Sequence, residues 1–242
     1  MMLRPVEAEF APRAQVFPGG RIDEADADPG WRELCEIGPD QAARLPEDGD
    51  DDSRPPALAF RIGAIREVFE ETAVILGSDA AELPHSSWAG EARARVHGGG
   101  ESFPGAIRAA GLRLHPMALT YFARWVTPED LPKRYDTRFY AAAMPAGQEA
   151  VAARGEVQSL EWITPAAALQ RADTNDAYTL PPTRAALTSL SEFDEVAGAM
   201  AGLPAGRDLT PILPRIVSGV GPGPEIRVVL PGEPGYDRDA GE

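Results

Sequence analysis

The segment from Leu58 to Leu76 constrains the fold more than any other part of the chain. Ile62, Ile65, Phe69 and Thr72 recur at spacings of three and four, the period that gathers side chains on one side of an α-helix. Pro55 and Pro56 stand just ahead of it, where proline is tolerated because the first helical N–H groups lack partners anyway. Within the same stretch, Arg66-Glu67-Val68-Phe69-Glu70-Glu71 sets Glu67 against Glu70 at i+3 and Glu71 at i+4. Like charges at those spacings destabilise a helix by about 0.2–0.5 kcal/mol per pair, so something cationic has to compensate. Two ordinary answers are a solvated acidic face and internal pairing with Arg61 and Arg66. A third follows from the clean separation of apolar and carboxylate faces. Such a carboxylate set suits hard oxygen ligation of Mg²⁺, which keeps coordination places for water and for phosphate oxygens.

Around this helix the pattern predicts strands over Ala118–Val126, Arg138–Met144 and Val157–Ile163, each rich in β-branched or aromatic residues. Short helices are expected at Pro165–Arg171 and Thr183–Phe193, both opened near a proline. Interleaved strands and helices indicate an α/β or α+β layered fold. Residues 39 to 56 crowd Glu47, Asp48, Asp50, Asp51 and Asp52 beside Pro46, Pro55 and Pro56, a composition expected to stay a loop. Two further soft stretches are His97-Gly98-Gly99-Gly100 and the Gly/Pro-rich run from Gly219 to Pro224. With 242 residues, one compact domain is the default expectation.

The net charge of -15 excludes a nucleic-acid polymer as the natural partner, since no basic stripe with interleaved aromatics offsets it. A phosphorylated small molecule stays possible if a divalent cation mediates the contact, because the ion reverses the local charge logic. No apolar run approaches the ~18–20 residues that cross a bilayer, so no membrane partner is expected. The N-terminal residues lack an apolar signal core, from which a cytoplasmic location is expected. Cys35 is the only cysteine, which excludes an internal disulfide and a multi-thiolate zinc site and suggests a partly buried, unreactive thiol. His85, His97 and His115 have no metal-like spacing. A homodimer is a weak general expectation for soluble proteins.

The run Arg66-Glu67-Val68-Phe69-Glu70-Glu71-Thr72-Ala73-Val74 resembles the second half of the Nudix box, G-x5-E-x7-R-E-U-x-E-E-x-G-U, where U is aliphatic. It agrees at every specified position except the glycine, which is Ala73, so a left-handed backbone there would be strained. Val16-Phe17-Pro18-Gly19-Gly20 resembles the opening of the same box. Arg66 stands 46 positions after Gly20 against 14 in the box, leaving 32 inserted residues within 21–56. Counted back from Arg66, the first glutamate of the box falls on Leu58, so its role is either empty or supplied from the insertion. An interrupted box resembles the branch of peroxisomal coenzyme A diphosphatases and their bacterial relatives. Phe10-Ala11-Pro12, Ala123 to Glu129, Lys133 to Phe139 and Leu180-Pro181-Pro182-Thr183 add to that likeness, which covers roughly Ala8 to Leu190.

The resemblance implies a Nudix-like α/β/α sandwich with a mixed sheet and a loop-helix metal motif. It implies a single domain over 1–242 with a C-terminal extension from about 195. The implied reaction is Mg²⁺-dependent, with Mn²⁺ as a possible substitute. It cleaves the pyrophosphate bond of coenzyme A or an acyl-coenzyme A to 3′,5′-ADP and (acyl-)phosphopantetheine. The alternatives are an ADP-ribose or NADH pyrophosphatase and a catalytically silent Nudix-like binding module. By the same resemblance Glu67 and Glu71 are metal ligands, Glu70 is a third ligand or a partner, and the Gly20 carbonyl joins them. Arg66 would hold a carboxylate by a bidentate pair. Glu156 is a candidate general base or an ordinary turn residue, and Glu161 is structural. Arg134, Arg138 and Phe139 are candidates for the substrate cleft, an arginine there meeting the 3′-phosphate, though such residues more often make a turn and a strand.

Overall fold

A computed structural model describes residues 1–6, 12–42, 45, 56–78, 80–153, 157–174, 176–203, 208–218 and 226–236. In chain order the strands are β1 (Met2–Leu3), β2 (Gln15–Val16), β3 (Thr120–Val126), β4 (Asp136–Ala141), β5 (Ser159–Leu160), β6 (Arg215–Ser218) and β7 (Ile226–Val229). The α-helices are α1 (Trp31–Leu34), α2 (Pro39–Ala42), α3 (Ala57–Thr72), α4 (Trp88–His97), α5 (Phe103–Ala109), α6 (Pro165–Asp173), α7 (Pro181–Leu190) and α8 (Val196–Gly202). The chain divides into two compact units, one of Met1–Tyr121 with Tyr140–Ala205, the other of Phe122–Phe139 with Gly206–Glu242.

The first unit is organised around α3. Its apolar side chains Ile62, Ile65 and Phe69 are wholly buried, and each such burial stabilises by about 1.5–3 kcal/mol. The Phe69 ring lies 5.3 Å from that of Phe103 on α5 and 6.4 Å from Trp88 on α4, while Trp31 of α1 lies 5.6 Å from Phe103. This is one aromatic core, fed by four helices. The predicted helix reached Leu76; the observed one stops at Thr72 because Ala73 turns left-handed, with φ 59° and ψ 21° and its N–H donating to the Phe69 carbonyl. That conformation costs a non-glycine residue about 1–2 kcal/mol. The Ala73 methyl is 5% exposed within the core, and burying one such group returns about 0.8 kcal/mol. The two nearly cancel. Ala73→Gly is therefore expected to leave stability within about 1 kcal/mol of wild type. Ala73→Val, which adds a β-branch where φ is positive, should cost about 2 kcal/mol or more in a urea titration.

The strands pair in small sets. β1 lies between β2 and β5 and runs antiparallel to both, Met2 facing Val16 on one side and Leu160 on the other. Val157–Ile163 was expected to be a strand throughout, and only Ser159–Leu160 pairs, because the β1 it meets is two residues long. Single parallel bridges at Ala14–Tyr178 and Cys35–Leu114 supply the parallel component. Thr164 caps α6 by accepting the Ala167 N–H, and Pro165 fills its first position. Packed against it, α7 starts at Pro181 and ends at Leu190, three residues short of the expected boundary.

Where it is described, the stretch from 39 to 56 expected to be a loop begins with α2 (Pro39–Ala42) and buries Leu45. Upstream, the rest of the inserted segment holds a 3₁₀ turn at Glu24–Ala27 and α1, with Trp31, Leu34 and Cys35 buried. The apolar spacing Trp31, Leu34, Cys35 drives this, since it offers the core one helical side. Residues 43, 44 and 46 to 55, with the acidic cluster, lie outside the described residues, as do Gly219 to Pro224.

In the second unit, β3 pairs with β4, and β6 pairs antiparallel with β7 from Arg215–Val229 to Ser218–Ile226. Ile212 joins β3 through Val126 N–H to Ile212 O and Ile212 N–H to Arg124 O, at 2.9 and 2.8 Å. Among the described residues no helix is long and apolar enough to cross a membrane.

Candidate functional site

Helix α3 presents Arg66, Glu67, Glu70 and Glu71 away from its apolar side, and the chain leaving β2 folds back over them. Gly19 takes φ 152°, a backbone that side chains disfavour, and its N–H donates to Glu71 Oε2 at 2.9 Å. Gly20 packs on Glu67 so closely that a Cβ there would lie 2.5 Å from Oε2 and nearer still to Oε1. Only glycine fits. The Pro18-Gly19-Gly20 turn and the two outer glutamates are thus brought into direct contact.

Arg66 is the centre of the cluster, at 7% exposure. Its Nε donates to Asp26 Oδ1 at 2.9 Å and its Nη2 to Asp26 Oδ2 at 3.0 Å, a bidentate pair. Nη2 also donates to the Arg21 carbonyl at 2.7 Å, and Nη1 to Glu67 Oε1 at 3.0 Å and Glu70 Oε2 at 2.9 Å. A guanidinium has five N–H donors, and all five are used. Burial alone would lower the Arg66 pKa; the Asp26 hydrogen bonds and the charges of Asp26, Glu67 and Glu70 outweigh it and hold the group charged. Burial raises the Glu67 pKa, against the opposing pull of Arg66. Arg61, the other candidate for internal pairing, donates to the carbonyls of Pro116 and Leu119 at 2.9 and 2.7 Å.

Asp26 is the residue that sequence reasoning missed. Read forward from Gly20 it stands six positions on, where the box has its first glutamate. Counting back from Arg66 led instead to Leu58, because the inserted residues fall after the carboxylate rather than before it. Asp26 is 2% exposed, and its Oδ2 also accepts the Asp23 N–H, tying it into the 3₁₀ turn.

The donors here are hard oxygens: the Glu67 and Glu71 carboxylates beside the glycine turn, with Glu70 one helical turn from Arg66. That chemistry fits Mg²⁺ or Mn²⁺. The carboxylates do not form a ready three-ligand cage among the described residues, since Glu67 and Glu70 each give an oxygen to Arg66 and Glu71 gives one to Gly19. The far end of α3 is held by residues 151 to 153, whose Val151 and Ala153 N–H groups donate to the Thr72 and Glu71 carbonyls. Glu156, three residues further on, lies outside the described residues.

A family model, the NUDT19 Nudix domain, matches residues 1–190. The chain belongs to the Nudix hydrolases. Chicken (Gallus gallus) and human relatives, each an acyl-coenzyme A diphosphatase NUDT19, are 28% and 26% identical over 80% of this chain. A Caenorhabditis elegans putative nudix hydrolase 7 is 26% identical over 81%. This Nudix chain spans 61%, 60% and 56% of the length of those three relatives. A crystal structure of a Nudix hydrolase from Alicyclobacillus acidocaldarius matches with a TM-score of 0.66 and 26% identity, over 85% of this chain and 88% of that one. The fold is Nudix-like α/β, and the resemblance to the coenzyme A diphosphatase branch is borne out.

The Nudix residues expected at the substrate belong to the second unit. Arg138 has a buried side chain, 2% exposed, whose Nη1 lies 3.5 Å from Asp136 Oδ1. Asp136 is held in turn by Arg124, through Nε at 2.7 Å and Nη2 at 2.6 Å. Arg134 is half exposed and donates from Nε to the Thr127 carbonyl at 3.2 Å. Phe139 meets Phe122 edge-on at 6.3 Å. Glu161 makes a bidentate surface pair with Arg171, as a structural residue would.

Proposed function

We propose that this Nudix hydrolase cleaves the pyrophosphate bond of coenzyme A or an acyl-coenzyme A, with Mg²⁺ as cofactor and Mn²⁺ as substitute. The products are 3′,5′-ADP and (acyl-)phosphopantetheine. The observation that carries the reading is the glycine turn seated on Glu67 and Glu71, because it groups hard oxygen donors and leaves phosphate oxygens to complete a cation's shell. The relatives' described activity supports the substrate.

In this reading Glu67, Glu71 and the Gly20 carbonyl hold the cation, with Glu70 as a third ligand or as the partner of Arg66. A bound divalent ion supplies Lewis acidity, offsets charge on the phosphoryl oxygens and lowers the pKa of water. Arg66 orients: with its N–H donors on Asp26, Arg21, Glu67 and Glu70, it fixes the rotamers of the two glutamates nearest it. Glu156 is the candidate base. Arg134, Arg138 and Phe139 are the candidates for the nucleotide end.

Initial rates with Mg²⁺ on coenzyme A, dephospho-coenzyme A, ADP-ribose and NADH test the substrate. Coenzyme A is expected to be the best of the four. Losing one charge-assisted phosphate contact costs about 1.5–3 kcal/mol, on the order of ten- to a hundredfold. Arg134→Ala should accordingly weaken coenzyme A by that factor and dephospho-coenzyme A little. Faster turnover of ADP-ribose or NADH would put the dinucleotide reading first, and binding without hydrolysis of any of the four would leave a silent binding module.

A further inference from the structure

Asp26 orients Arg66, and Asp26 is itself set by two residues that no part of the box names. The Trp31 indole donates from Nε1 to the Ala25 carbonyl at 2.8 Å, at the residue next to Asp26 in the 3₁₀ turn. Trp31 is buried in the aromatic core against Phe103. The turn is thereby fixed to the core by a directional bond rather than by packing alone. From the other side, Gly63 of α3 lets the turn approach the helix. A Cβ on Gly63 would come within 2.7 Å of Ile22 Cδ1 and 3.1 Å of Asp26 Oδ2. The Ile22 methyl is the end of a flexible chain and can rotate away; the Asp26 carboxylate is held by two Arg66 nitrogens and one backbone N–H and cannot.

We propose that Trp31 is a positioning residue for the glutamates of α3, acting through the Ala25 carbonyl, Asp26 and the Arg66 guanidinium, with Gly63 providing the space this chain of contacts requires. The described part of the insertion is then a brace for the catalytic helix. This inference rests on the metal-dependent hydrolase reading of the same site. Glu67 and Glu70 take their orientation from Arg66, and Arg66 takes its own from Asp26. Loosening the turn therefore changes where carboxylate oxygens sit, not only how stable the domain is.

The two positions differ in what they ask of stability, which separates positioning from folding. Trp31→Phe keeps an aromatic ring in the core and removes the N–H donor. Gly63→Ala raises helix propensity and presses on Asp26. Turnover of coenzyme A is measured against Mg²⁺ concentration for both variants, beside Glu71→Gln and wild type, with melting temperatures recorded. Both variants are expected either to lose about five- to twentyfold in kcat or to need about five- to twentyfold more Mg²⁺ for half-saturation. Gly63→Ala should do so with a melting temperature at or near that of wild type. Should Trp31→Phe fail to fold, Gly63→Ala alone decides. Wild-type kcat and Mg²⁺ response in Gly63→Ala, with Glu71→Gln inactive, would overturn the brace and leave the hydrolase reading standing. Full activity in Glu71→Gln would overturn the hydrolase reading itself.

Discussion

Glu71→Gln is expected to lower Mg²⁺-dependent turnover by at least about a hundredfold while the fold persists, because one ligand charge disappears and the side-chain shape does not. The fold should persist for a specific reason. Glu71 Oε2 accepts the Gly19 N–H, and a glutamine carbonyl oxygen can accept the same bond. Its helix position is also kept by the Ala153 N–H on its own carbonyl. Kinetics at saturating substrate across a Mg²⁺ series, with a melting curve on the same sample, read both halves. Wild-type turnover in the variant would remove Glu71 from the metal site.

Asp26→Ala should produce the largest loss of stability of any single change at the site, about 3 kcal/mol. Burial sets the size of the loss. Exposed ion pairs such as Arg171 with Glu161 are screened and contribute little whatever their geometry. Asp26 and Arg66 are both buried, so deleting the carboxylate strands a guanidinium with two of its five N–H groups unpaired. The same change releases the Asp23 N–H and so frays the 3₁₀ turn. Glu67 and Glu70 still face Arg66, which keeps the loss at the lower end of the range for a broken buried pair. Urea denaturation reports the shift directly. A loss below about 1 kcal/mol would show that the pair contributes no more than a surface contact.

Helix α3 was legible because sixteen residues of one period leave little choice, and its carboxylates because they fall at fixed spacings on that helix. Its end was not, since alanine does not advertise a left-handed turn; only the likeness of Ala73 to a box glycine hinted at one. Strands β1, β2 and β5, two residues each, are too short to carry an alternation, and they exist because β1 finds partners on both sides. The short helix Pro39–Ala42 was hidden for a compositional reason. Acidic residues dominate any average taken over 39 to 56, while the apolar triplet at Trp31, Leu34 and Cys35 that anchors the insertion lies just upstream.

Contacts across long sequence separations were the least readable. Nothing local to Asp26 says that it meets a guanidinium 40 residues away, yet counting forward from Gly20 would have found it. Gly63 reads as an ordinary helical glycine until Ile22 and Asp26 are placed beside it. Nothing local to Arg138 says that its side chain is buried, with Nη1 3.5 Å from Asp136 Oδ1.

On the proposed reading, the glutamates beside the glycine turn hold the divalent ion that hydrolysis requires. Mn²⁺ titration of the purified chain, followed by electron paramagnetic resonance, tests it most directly, with wild type and Glu71→Gln compared and Mg²⁺ added as competitor. The expected result is Mn²⁺ binding that Mg²⁺ displaces and that is weakened at least about tenfold in the variant. Equal Mn²⁺ affinity in wild type and Glu71→Gln, or binding that Mg²⁺ does not displace, would contradict it.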